Sequence, residues 1–120
     1  MSKNAIRFRI LYSLWCGIPI VAGLFHVGRD ISRPYNKLFG IDSAIGLVYL
    51  QIGLLNLLHA IYGFSKRGIR FAAVGVNALS LSLIIWMIRL FPKDKYIFFS
   101  LGFMATMMLL SLFNKRPLEN

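Results

Sequence analysis

The chain has 120 residues, of which 58% are hydrophobic and 15% charged, and its mean hydropathy is +0.66. Soluble domains of this length carry about a quarter charged residues, so this composition indicates an integral membrane protein. The formal net charge of +10 raises the question of nucleic acid. However, the cations flank apolar blocks and form no basic region of their own, so we expect the lipid bilayer and not nucleic acid as the partner. Residues 1–120 are interpreted as a single domain.

Four apolar blocks are each close to the roughly 20 residues that a helix needs to cross the hydrocarbon. Pro19 lies within the first block, where neighbouring helices can satisfy the backbone group that it frees. The connection from Gly28 to Asp42 contains Pro34 and is predicted to be non-helical. Ser65–Arg70 and Pro92–Lys95 are short turns, which make consecutive helices antiparallel. We therefore predict an all-α, polytopic membrane protein, a four-transmembrane-helix antiparallel bundle with spans over residues 10–27, 44–64, 71–91 and 96–113.

Basic residues near the span ends determine the expected orientation. If the N-terminus is internal, the inner side holds Lys3, Arg7, Arg9, Lys66, Arg67, Arg70, Lys115 and Arg116. The outer side then holds Arg29, Arg33, Lys37, Arg89, Lys93 and Lys95. The excess of basic residues is on the inner side, so we expect a plasma (cytoplasmic) membrane protein with both termini in the cytoplasm.

Small residues mark the surfaces along which the helices are expected to pack, because helices in lipid associate through close backbone approach and polar contacts. In the second span one face carries Gly46, Tyr49, Gly53, Asn56, Ala60 and Gly63. The third span has Ala73, Asn77 and Ser80 on one face and Gly75, Ala78 and Ser82 on the next, and the first has Ser13, Gly17, Ala22 and Gly23. We expect these faces inside the bundle, with Asn56 and Asn77 hydrogen-bonded across helices.

The two histidines are the residues that most invite a ligand. His26 ends the first span and His59 lies deep in the antiparallel second span, about 20 Å away along the membrane normal, so they cannot hold one ion. His59 lies near Asn56 and Gln51, and such a polar group within a membrane suits a quinone carbonyl or a proton relay. The alternative is an interhelical hydrogen bond. His59 is the best single candidate for a functional residue.

Acidic residues are placed in connections or in the tail, at Asp30, Asp42, Asp94 and Glu119. Four short spans with a weak charge bias resemble the small multidrug transporters, which work as dimers of opposite orientation. The mechanism of that family depends on an acidic residue in its first helix, and the predicted first span has none. We therefore do not expect proton-coupled export.

Catalytic patterns are absent from the sequence: it has no paired carboxylates, no Cys/His spacing for a metal and no phosphate loop. Cys16 has no nearby base, and Met104, Met107 and Met108 have the spacing of helix packing. We expect neither an enzyme nor a cofactor nor a metal site.

Three functions remain compatible with the sequence. The first is a non-enzymatic accessory or scaffold subunit, which packs against a larger membrane protein or against further copies of itself. The second is a binding module for a lipophilic ligand, a quinone or a lipid, near His59 and Asn56. The third is a small dimeric channel or exporter in which Asn56 and Asn77 line a path.

Overall fold

The structure, a computed structural model, describes residues 2–32, 41–62 and 65–114, without the side chains of residues 41 and 42. Within these ranges the chain forms four α-helices and no strand, which confirms the predicted all-α class. The helices are α1 (Lys3–Ser32), α2 (Ile41–Tyr62), α3 (Arg67–Leu90) and α4 (Lys95–Phe113). Each of the four is long and apolar enough to cross a membrane.

The connection predicted from Gly28 to Asp42 is wrong at both of its ends. The first helix continues through Gly28 to Ser32, and the second begins at Ile41. Residues 33–40, which include Pro34 and the cations Arg33 and Lys37, lie outside the described residues, as do 63–64 and 115–120.

Asp30 consequently lies within α1, so the prediction that no carboxylate falls in a spanning helix is wrong. Its side chain is buried, with 4% of its surface exposed, and its Oδ2 accepts a hydrogen bond from the backbone N–H of Ser43 at 2.7 Å. Ser43 lies in the first turn of α2, where backbone N–H groups lack partners within the helix and the helix dipole favours an anion. The carboxylate is therefore held in α1 as a cap for the next helix.

The turn between α3 and α4 follows from two residues. Pro92 has no backbone N–H and restricts the residue before it, so the helix ends at Leu90. Asp94 then caps α4, because its Oδ1 accepts a hydrogen bond from the N–H of Tyr96 at 2.9 Å. The turn is short enough that α4 returns along α3.

The closest helix packing is between α1 and α2, and glycine makes it possible. A Cβ added to Gly23 would lie 2.6 Å from the carbonyl oxygen of Gly46. A Cβ added to Gly46 would lie equally close, 2.6 Å, to the carbonyl oxygen of Gly23. At Gly53 an added Cβ would lie 3.1 Å from the carbonyl oxygen of Cys16. The two backbones therefore touch along this line, as is typical of small-residue contacts between membrane helices.

Contacts along the chain show that neighbouring helices run antiparallel, with the start of α1 beside the end of α2. Arg9 donates a hydrogen bond through Nη2 to the carbonyl oxygen of Ile61 at 2.7 Å, and Arg70 Nη2 lies 3.4 Å from the carbonyl oxygen of Leu112. Both arginines thus meet the electronegative C-terminal end of a helix. We call this end of the molecule the basic end; its described cations are Lys3, Arg7, Arg9, Lys66, Arg67 and Arg70.

The core is small, and large apolar side chains cover the outside of all four helices. The buried apolar cluster contains Tyr12, Cys16, Ile52, Ala60, Met104 and Met107. On the outer surface Leu14 is 69% exposed, Phe71 77% and Phe99 73%. Water-soluble monomers rarely expose apolar surface on this scale, so the distribution suits an apolar surrounding.

Replacing Gly46 with alanine is expected to destabilise the α1–α2 pair. The new Cβ would meet the carbonyl oxygen of Gly23, which is backbone, so the helices must separate, at a cost of about 1–3 kcal/mol. The free energy of unfolding in detergent micelles measures this effect. The matched control is Gly17→Ala in α1, where an added Cβ has nothing within 4 Å and alanine favours the helix. Equal stability of the two variants would contradict the close backbone contact.

Candidate functional site

Four buried polar side chains meet at the centre of the bundle, and we call them the polar network: Tyr12, Asn56, His59 and Asn77. Each has 0% of its surface exposed. Tyr12 comes from α1, Asn56 and His59 from α2, and Asn77 from α3. The network therefore joins three helices by hydrogen bonds between side chains.

A reciprocal amide pair forms the centre of the polar network. Asn56 Nδ2 donates to Asn77 Oδ1, and Asn77 Nδ2 donates to Asn56 Oδ1, both at 2.8 Å. Asn56 Nδ2 also donates to the carbonyl oxygen of Ile52 at 2.9 Å. Because both amides use donors and acceptors on each other, the pair fixes the rotation of α2 against α3.

The hydrogen bonds of Tyr12 determine the tautomer of His59. The Tyr12 hydroxyl donates to Asn56 Oδ1 at 2.6 Å, and the same hydroxyl lies 3.2 Å from His59 Nδ1. Since the single hydroxyl proton is used on Asn56, the oxygen must accept from His59, which places the imidazole proton on Nδ1. The other ring nitrogen, Nε2, is then a bare acceptor. It is buried and has no hydrogen-bond partner among the described residues.

The fourth helix is attached through the backbone of His59. Asn114, which follows the last residue of α4, donates through Nδ2 to the carbonyl oxygen of His59 at 2.6 Å. Trp15 of α1 also stacks on Phe103 of α4, with ring centroids 5.3 Å apart. His59 is thus bonded directly to α1 and to the residue that ends α4, and it is connected to α3 through Tyr12 and Asn56.

Of the three residues expected to form a ligand site, the structure brings together Asn56 and His59 but not Gln51. Gln51 is exposed on the outside of α2. It is five residues before Asn56, which places it about 140° away around the helix. The proposed group of three therefore does not exist as a single site, since the helical repeat separates its first member from the other two.

Some of the residues expected to pack between helices are inside the bundle and some are outside it. Gly46, Gly53, Ala60 and Asn77 are all buried, and Gly63 lies outside the described residues. The expectation that Gly75 and Ser82 lie inside the bundle is wrong, since both are exposed on the outside of α3.

His26 lies far from the polar network. Its ring stacks on Tyr49 with centroids 5.6 Å apart, near the end of α1 opposite the basic end. It is fourteen residues from Tyr12, or about 21 Å along the helix axis. Within the described parts of the chain, no three His, Cys, Asp or Glu side chains come close enough to hold a metal ion.

Tyr12 is the member of the polar network that the sequence analysis did not identify. A buried tyrosine hydroxyl needs a hydrogen-bond partner, and a tyrosine inside an apolar block is a sign of one. Its partners lie 44 and 47 residues away in the chain, however, so the sequence offers no local signal for which residues it joins.

Comparison with family models, with curated proteins and with solved structures gives no match to this chain. Function is therefore inferred from the geometry of its own residues. The polar network contains amides, a phenol and a neutral imidazole, and its amide groups are engaged with one another. This chemistry suits a cross-link between helices more than it suits turnover of a substrate.

The Asn56–Asn77 pair can be tested with a double-mutant cycle. We expect Asn77→Ala to lower the free energy of unfolding in micelles, because it leaves the buried amide of Asn56 without its partner. In the double variant with Asn56→Ala the second loss should be smaller, giving a coupling energy of about 0.6–2 kcal/mol. Ser82→Ala is the control on α3, since Ser82 is exposed and its hydroxyl donates to the Ala78 carbonyl of its own helix. Additive losses in the cycle would show that the pair contributes nothing.

Proposed function

We propose that this chain is a four-span integral membrane protein, folded as an antiparallel bundle, that serves as a non-enzymatic accessory subunit. In this role α3 packs against a larger membrane protein. The observation that carries the proposal is the outer face of α3, which has small residues but no neighbouring helix within the described parts of the chain.

That face, the α3 seam, consists of Gly68, Ala72, Gly75, Leu79, Ser82 and Trp86, all exposed and spaced by three or four residues. Leu79 is 68% exposed and Trp86 59%. Within the most apolar segment of each helix, α3 has 11% of its residues buried, against 33% for α2. The spacing gives a continuous stripe along one side of the helix.

Small residues allow a second helix to approach the backbone, and dispersion forces then hold the two together in lipid. The chain itself uses this principle where Gly23 meets Gly46. In contrast, a Cβ added to Gly75 would find nothing within 4 Å. The α3 seam thus has the composition of a helix–helix contact, and a partner helix from another protein supplies the other half.

The membrane assignment is supported by the length of the helices and by their exposed apolar surface. For the orientation we propose the plasma (cytoplasmic) membrane with both termini in the cytoplasm. The support is the basic end, where α1 and α3 begin and α2 and α4 end. Cations on the cytoplasmic side meet anionic headgroups there.

A lipophilic ligand at the polar network is the second candidate, and the bare His59 Nε2 is what favours it. A ligand that donated a hydrogen bond would satisfy this nitrogen. Against it, Asn56 and Asn77 are committed to each other. A channel or exporter through the same residues has less support, because opening a path would require the breaking of this amide pair.

Gly75→Leu should abolish co-purification of the partner while the subunit itself stays folded. The added side chain blocks the approach of a helix to the α3 seam, and it meets no atom of its own chain at the Cβ position. The measurement is native mass spectrometry after gentle extraction at natural expression levels. The expected wild-type result is a stoichiometric complex with a larger membrane protein.

Gly102→Leu in α4 is the matched control, because Gly102 is also exposed and an added Cβ there also finds nothing within 4 Å. It should keep the partner. Retention of the partner by both variants would contradict the α3 seam as the contact. A wild-type protein that runs as a bare monomer would contradict the accessory role itself.

The orientation is tested by labelling single cysteines in intact cells with a membrane-impermeant maleimide. Lys93→Cys should react from outside, whereas Lys66→Cys should react only after lysis; both positions are exposed and lie in opposite turns. The unmodified chain is the control, since its one cysteine, Cys16, is buried. The reverse pattern would overturn the orientation, and partial outside labelling of both variants would favour the dual-orientation exporter instead.

A further inference from the structure

An open groove of about 430 Å³ runs along the outside of the bundle between α1 and the end of α2. Its lining residues are Ile6, Arg9, Ile10, Ser13, Leu14, Ala60 and Ile61. Its lining residues come from α1 and α2, and none of them belongs to the α3 seam.

The groove exists because small side chains lie between large ones. Ala60 is 1% exposed and Ser13 is half-buried. Ile10 and Leu14 are exposed and project beside them from α1. An open groove with an apolar lining is suited to a flexible hydrocarbon chain.

The groove crosses the membrane boundary at the basic end. Ile6 and Leu14 are eight residues apart, or about 12 Å along the axis of α1. With the first span beginning at residue 10, about half of this length lies at the headgroups and about half in the hydrocarbon. The groove therefore extends from the headgroups at the basic end into the adjoining part of the hydrocarbon.

Positive charge lies at the surface end of the groove. The Arg9 side chain is held there by its hydrogen bond to the carbonyl oxygen of Ile61 at 2.7 Å. Lys3 is exposed one turn before Ile6, on the same face of α1. Among the described residues the basic end contains six cations and no acidic residue.

From this arrangement we propose that the groove binds one acidic phospholipid of the cytoplasmic leaflet. An acyl chain lies against Ala60 and Ser13, and the anionic headgroup contacts Arg9 and Lys3. Each basic residue near an anionic surface contributes about 1 kcal/mol, so the headgroup charge adds a preference of about fivefold for each contact. The proposal rests on the membrane placement proposed above, but it does not depend on a partner at the α3 seam.

The test is native mass spectrometry of the purified protein with equal amounts of phosphatidylglycerol and phosphatidylcholine that carry identical acyl chains. The wild type should retain one phosphatidylglycerol at least about fivefold more often than phosphatidylcholine. Ile10→Trp fills the groove from an exposed position and should abolish the retention of either lipid. Leu11→Trp is the matched control, because Leu11 is 54% exposed against 55% for Ile10, at the same depth but about 100° around the helix. This control should bind as the wild type does.

Lys3→Gln tests the headgroup contact separately from the binding of the acyl chain. Lys3 lies outside the lining of the groove, so this variant should keep an acyl chain but lose about fivefold of the preference for phosphatidylglycerol. Equal retention of the two lipids by the wild type, or equal losses in Ile10→Trp and Leu11→Trp, would overturn the lipid site. If Gly75→Leu loses the partner but retains the lipid as the wild type does, this would support a lipid site separate from the α3 seam. Recovery of the wild type in the aqueous fraction without detergent would overturn the membrane placement and the lipid site together.

Discussion

The amide pair of Asn56 and Asn77 is the interaction on which the arrangement of the helices depends. Two carboxamides in an apolar interior must satisfy each other, since an unpaired amide there costs several kcal/mol and lipid offers no substitute. This requirement fixes which faces of α2 and α3 meet. The hydroxyl of Tyr12 then adds α1 to the same point, and the carbonyl oxygen of His59 adds α4 through Asn114. Hydrogen bonds require a specific geometry, so they select one arrangement of these helices. Their apolar surfaces alone would allow many arrangements.

Close packing also holds the helices together, mainly between α1 and α2. The contact of Gly23 with Gly46 is eleven residues from Tyr12 along α1, or about 16 Å, so backbone contact and hydrogen bonding hold the pair at two depths. The buried carboxylate of Asp30 adds a third point beyond them, at the start of α2. In α3, by contrast, the described side-chain hydrogen bonds to other helices come from Asn77 in the middle and Arg70 near the start. The helix pair α1–α2 is therefore the most extensively connected part, and α3 is the least buried of the four helices.

The sequence predicts well what depends on local periodicity, and poorly what depends on distant partners. Four apolar blocks of the right length indicate four helices, and the spacing of Gly46 and Gly53 places them on one face. Gln51 does not join Asn56 and His59, because residues that are near in sequence need not share a helix face. Pro34 and the flanking glycine predict an early break that places Asp30 in a loop, whereas its carboxylate accepts a hydrogen bond from an amide thirteen residues away. Tyr12 carries no local signal, because its partners belong to another helix.

The distribution of small residues connects the interior to the two outer surfaces. Gly23, Gly46 and Gly53 each face backbone or side-chain atoms so closely that a larger residue would not fit, and their role is complete within the chain. Gly75 has no such neighbour, although it lies two residues from Asn77, whose side chain is fully buried. Two residues correspond to about 200° of helix rotation, so the bond that turns Asn77 inward necessarily turns Gly75 outward. The orientation of the α3 seam is thus a direct consequence of the amide pair. The groove beside Arg9 is lined by α1 and α2 and does not involve this pair. One buried hydrogen-bonded pair therefore sets the direction in which the proposed protein contact faces.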